Sequence, residues 1–127
     1  MNKDERIAQN ARILRTLGYA PEVTEAGGIR FKIEGVTCFL MLDDEVAYWS
    51  LLYHRFWPIR EGQRARVEEA AIAATAGTKV AKVYLAGDDN VTASVELLLP
   101  SPEAPPIRRA VATLLYAVSL FKEKMAQ

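Results

Sequence analysis

Between Ile29 and Trp57 the apolar and polar residues are spaced as in strands. Ile29, Phe31 and Ile33 alternate with Arg30, Lys32 and Glu34, the period of two expected of a sheet with one dry and one wet face. The next run, Val36 to Leu42, is apolar on both sets of positions: Val36, Cys38, Leu40 and Leu42 on one, Phe39 and Met41 on the other. Such a strand is expected to be central and covered, at least partly, on both faces. A third strand, beginning near Val46, sets Trp49, Leu51 and Tyr53 against Tyr48, Ser50 and Leu52. Glu34-Gly35 and Asp43-Asp44-Glu45 supply the turns of this three-stranded meander. Two apolar faces on so small a chain suggest that something besides its own helices lies against the sheet.

Helical spacing brackets the meander. Asn2 with Glu5 forms a capping box for a first helix, whose stripe is Ile7, Ala11, Leu14 and Leu17. Gly18 fits a left-handed cap and Pro21 blocks continuation, so this helix ends by about Leu17. The lead-in from Pro21 to Gly28 has room for a short edge strand, with a bend at Gly27-Gly28. Beyond Pro58, an alanine-rich second helix is expected from about Glu61 to Ala76, with Val67, Ala70, Ala71 and Ala74 inward and Gly77 as its cap. Thr78 to Ala86 reads as a fourth strand, Gly87 to Asn90 as a turn, and Val91 to Leu99 as a fifth strand paired with it. Pro100 to Pro106 is a stiff connector holding four prolines. From Pro106 a last helix carries Ile107, Val111, Leu114, Val118, Phe121 and Met125 at steps of four and three.

These elements imply an α+β domain in two layers, with one antiparallel sheet and the order α-β-β-β-α-β-β-α. The 127 residues suit a single domain. Half the residues are hydrophobic and a quarter charged, which excludes disorder as the default. Sixteen basic residues balance sixteen acidic ones, so no global field draws nucleic acid or an anionic membrane. One cysteine, Cys38, rules out an internal disulfide. The charged amino terminus lacks an apolar targeting segment, and no apolar run approaches the ~18–20 residues that cross a bilayer. A reduced, cytoplasmic protein is expected.

Candidate chemistry is sparse. His54 is the sole histidine, and a surface or semi-buried role outweighs a catalytic one by about nine to one. Cys38 sits mid-strand among apolar neighbours, where an inert thiol is expected. The acidic pairs at Asp43-Asp44-Glu45 and Asp88-Asp89 lack the spacing of a calcium loop, and Gly27-Gly28 lacks the remainder of a phosphate loop. No catalytic residue, metal or cofactor is expected. The segment His54 to Arg66 is richer, because Phe56, Trp57, Arg60 and Arg64 have the composition of interface hot spots. With Trp49 they form the candidate partner-binding set. The bland alternative, weighted at about two in three, is that Phe56 and Trp57 plug one end of the core beneath solvated arginines.

The order of elements, together with Ile29-Arg-Phe-Lys-Ile-Glu-Gly35, the aromatic third strand, the alanine-rich helix before Gly77-Thr-Lys79 and the closing hairpin and helix, resembles the YbjN family of bacterial proteins. That family is similar in fold to the type III secretion chaperones. The resemblance implies a commonly dimeric domain that binds proteins and catalyses nothing. Its balanced charge departs from the acidic export chaperones and favours the YbjN-type reading. The expected function is therefore a non-enzymatic, chaperone-like binding module, with itself or another protein as partner. Two alternatives remain: a small-molecule sensor with a pocket lined by Tyr48, Trp49 and Tyr53 between sheet and helices, and an enzyme using His54 with an acidic turn.

Overall fold

The computed structural model describes residues 2–42, 48–98 and 106–127. Three helices, α1 (Lys3–Thr16), α2 (Arg64–Ala76) and α3 (Ile107–Met125), accompany six strands: β1 (Glu22–Val23), β2 (Ile29–Ile33), β3 (Val36–Leu42), β4 (Tyr48–Pro58), β5 (Ala81–Ala86) and β6 (Asn90–Leu98). All pairings are antiparallel, in the sheet order β1-β2-β3-β4-β6-β5. The α+β architecture with one antiparallel sheet is as expected, and the two-residue β1 fills the place left for an edge strand. The acidic turn at 43–45 and the proline connector, apart from Pro106, lie outside the described residues.

Local chemistry sets the ends of α1. The Asn2 side chain accepts from the Glu5 amide at 2.8 Å, satisfying a donor that the first turn leaves unpaired. At the other end Gly18 turns left-handed at φ 95°, and the amides of Gly18 and Tyr19 donate to Arg15 and Leu14 carbonyls at 3.0 Å. Those two bonds are a Schellman closure, which needs a residue without a Cβ penalty at Gly18.

Two expected boundaries move. The second helix starts at Arg64, because Glu61-Gly62 forms a turn with Gly62 at φ 81°. The fourth strand starts at Ala81, because Thr78 to Val80 turn the chain and Val80 takes φ 57°. A β-branched residue in that region is strained; Val80 is also 60% exposed.

All three helices close one face of the sheet. Ile29, Phe31, Cys38, Leu40, Trp49, Leu51, Ala93 and Val95 line that face. They join Leu14, Val67, Leu114 and Phe121 of the helices in one continuous core. α2 meets the sheet through Val67, Ala70, Ala71 and Ala74, and the small alanines permit close approach.

β5 is a sheet edge, yet its backbone is occupied at Val83 and at the Ala81 carbonyl. The Thr75 hydroxyl of α2 accepts from the Val83 amide at 2.9 Å and donates to the Val83 carbonyl at 3.2 Å, and Thr78 reaches the Ala81 carbonyl at 3.5 Å. An exposed edge invites pairing with a foreign strand, and a covering helix removes that hazard.

Candidate protein-binding face

Among the described residues no helix packs on the opposite face of the sheet. Register places its side chains in rows, the middle one running across all six strands: Glu22 (β1), Arg30 (β2), Phe39 (β3), Leu52 (β4), Ser94 (β6) and Lys82 (β5). The row is charged at both ends and apolar in the middle. Beside it, Met41 of β3 pairs with Ser50 of β4 and Ser50 with Glu96 of β6. Phe39, Met41 and Leu52, with Thr24, Ala26 and His54, surround a shallow hollow of about 370 Å³ whose lining is almost wholly apolar. All three apolar residues are partly exposed.

Gly28 shapes this hollow. A Cβ on it would stand 2.4 Å from the Met41 sulfur, so the missing side chain lets the thioether lie directly against the backbone of Gly28, just before β2. The 24–28 turn is tied down by the Thr24 amide donating to the Gly28 carbonyl at 2.8 Å and by Thr24 Oγ1 accepting from the Gly28 amide at 3.2 Å. Both rims are charge-paired. Arg30 lies 2.7 Å from Glu22, and that hydrogen bond holds the Glu22 carboxyl below the ordinary carboxylate range. On the far rim Lys82 lies 2.7 Å from Glu96 and over the Tyr84 ring.

The residues singled out from composition lie elsewhere. Trp49 is 0% exposed on the helix-covered face, so no partner reaches it without opening the sheet. Phe56 and Trp57 are half-buried, each meeting Phe121 of α3 at 5.4 Å in edge-to-face geometry. A bulge explains how two consecutive aromatics point the same way. Tyr53 pairs with Ala93 and Trp57 with Val91, so three residues of β4 face Thr92 alone. Arg55 takes φ 53° within it, and its amide donates to Thr92 Oγ1 at 3.4 Å. Arg60 is exposed. Arg64 is exposed and pairs with Asp89 at 2.9 Å and with Glu68 at 3.9 Å. The structure thus brings Phe56 and Trp57 together as a core plug, with Arg60 and Arg64 solvated outside it and Trp49 inside.

The remaining chemistry is similarly placed. His54 is exposed, its Nδ1 lying 3.4 Å from Thr92 Oγ1. Cys38 is buried, and burial pushes its thiol up to about 11, the opposite of what a reactive thiolate requires. Among the described residues no group of three or more His, Cys, Asp and Glu is placed to hold a metal, and no helix is long and apolar enough to cross a membrane. Of the residues expected to line an aromatic pocket between sheet and helices, Trp49 is fully buried and Tyr53 packs against the core with Phe56 5.3 Å away, while the Tyr48 side chain lies outside the described ones. Phe39, Met41 and Leu52 were marked in sequence only by the breakdown of alternation in β3 and the double-sided β4. Compared with family models, curated proteins and solved structures, the chain matches none.

Proposed function

We propose that this chain is a non-enzymatic, chaperone-like module that binds protein on the open face of its sheet, works in the cytoplasm and acts as a homodimer. The observation that carries the reading is the apolar hollow of Phe39, Met41 and Leu52 at the middle of an otherwise charged and polar face. Such a centre with a polar rim is the anatomy of a recognition patch. Both sheet edges are poor templates for strand addition, since β1 has two residues and Thr75 occupies both backbone groups of Val83 in the middle of β5. A protein partner is therefore steered to the face. The resemblance to the YbjN family agrees with this reading.

Affinity capture with the full chain tests it, comparing wild type with Leu52→Glu on the open face and Ile72→Glu on the helical layer, where Ile72 is 71% exposed. Wild type and Ile72→Glu are expected to retain the same proteins and Leu52→Glu to lose them. Identical capture by all three contradicts the reading.

A second reading, a small-molecule sensor, is supported by the same hollow, whose volume falls within the ~300–1,000 Å³ range of ligand sites. It lacks the convergent polar groups that fix a ligand's orientation. A metabolite thermal-shift screen decides it: a specific ligand raises the melting temperature in wild type and not in Leu52→Glu.

A further inference from the structure

We propose that a second copy of this chain covers the open face, the two sheets stacked about a twofold axis that runs along the strands between β3 and β4. The inference rests on the protein-binding reading and names the partner. Its basis is the middle row of the sheet.

In the sheet order β1-β2-β3-β4-β6-β5, the midpoint falls between β3 and β4, where the apolar residues are. Rotation about an axis along the strands reverses the row onto itself. Phe39 then lies over Leu52 of the second copy and Glu22 over its Lys82, while Arg30 lies over the position of Ser94, a buried side chain that donates to Glu96. Apolar meets apolar and opposite charges meet at both rims. The Glu22–Arg30 pair of one copy and the Lys82–Glu96 pair of the other become an alternating network of four charges.

An axis across the strands would set Glu22 against Glu22 and Lys82 against Lys82, a like-charge arrangement that costs free energy on desolvation. The row is thus self-complementary under one twofold and self-repelling under the other, which is what an isologous interface requires. Stacked sheets lie ~10 Å apart and cross at about −30°, a spacing that side chains such as Phe39, Met41 and Leu52 fill from both sides. The edges are unsuited to a competing side-by-side dimer, because β1 is two residues long and Thr75 holds both backbone groups of Val83 in β5.

Two measurements on the full chain test the proposal. In sedimentation velocity across the micromolar range, wild type is expected to run as a dimer and Leu52→Glu as a folded monomer, whose melting temperature, unlike that of wild type, does not vary with concentration. In the second, Glu22→Cys and Lys82→Cys are treated with a bismaleimide that spans about the ~10 Å between stacked sheets; the native Cys38 is buried and does not compete. Each exposed rim pair contributes little by itself, so the dimer survives either substitution. The mixture of the two variants is expected to give a covalent dimer and neither variant alone to do so. Wild type that stays monomeric, Leu52→Glu that stays dimeric, or single variants that cross-link to themselves as readily as the mixture would each overturn it. A monomer whose capture of other proteins is still lost on Leu52→Glu overturns the second copy while leaving the binding face in place.

Discussion

Leu51 and Leu52 are consecutive residues of one strand, and they face opposite environments. Leu51 sits at 1% exposure among Leu40, Val95 and the helices, while Leu52 stands partly exposed beside Phe39 and Met41. The two faces of the sheet differ in the same way. One is sealed by α1, α2 and α3 and contributes to stability through burial and close packing. The other presents side chains of similar hydrophobicity with no helix over them among the described residues, and association is the role we propose for it. In a two-layer domain of this size there are helices enough for one face. On the proposed reading, an apolar residue on the second face serves binding.

The largest expected effect is on the sealed face. Leu51→Ala should lose ~2–5 kcal/mol of unfolding free energy, measured by urea denaturation. Leu52→Ala, compared with wild type at a concentration low enough to keep both monomeric, should lose less than about 1 kcal/mol, because a partly exposed side chain forfeits little burial. Equal losses would erase the distinction between the faces.

Next is the guarded edge. Thr75→Val keeps the side-chain shape and leaves the Val83 amide and carbonyl without the hydroxyl, at a cost of ~1–3 kcal/mol. It should also produce oligomers that Leu52→Glu does not suppress, since these would form through β5. A variant as stable as wild type, and no more associated, would show that the hydroxyl does not guard the edge.

A smaller effect concerns Asn10, buried with its Nδ2 donating to the Arg6 carbonyl and its Oδ1 without a partner among the described residues. Asn10→Leu should raise stability by ~1 kcal/mol, through removal of an unsatisfied acceptor and improved helix propensity. A loss would point to a partner for that oxygen.

Cys38 adds a pH dependence from the sealed face. Its folded value of about 11 stands above the ordinary 9.0, so the thiol's contribution to stability is fully present below about pH 9. It is lost as pH rises from about 9 to 11, because the unfolded chain ionises first. Native alkylation at pH 8 should be slow and become fast in denaturant; rapid native labelling would contradict the burial.

Much of the fold is legible in residue spacing, for reasons visible in particular elements. The stripe of α3 has buried Ile107, Val111, Leu114, Val118, Phe121 and Met125 as its spacing requires, and the ends of α1 follow from Asn2 and Gly18. The site was less legible. Phe56 and Trp57 have hot-spot composition, but their fate depends on a bulge opposite Thr92 that no local pattern announces. Trp49 follows strict alternation onto the sealed face, and its large indole conceals that simple rule. Phe39 and Met41 did signal a second apolar face. Which face the helices leave open is set by tertiary packing, and periodicity does not encode it.

Hydroxyl-radical footprinting of the wild-type protein at low and high concentration tests the central claim most directly. Met41 on the open face and Tyr116 on the helical layer, 55% exposed beside a hollow of about 500 Å³ between the end of α2 and α3, serve as opposed reporters. The open-face account requires labelling of Met41 and Phe39 to fall as concentration rises while Tyr116 stays constant. Protection of Tyr116 with Met41 unchanged would place the working surface on the helices and contradict it.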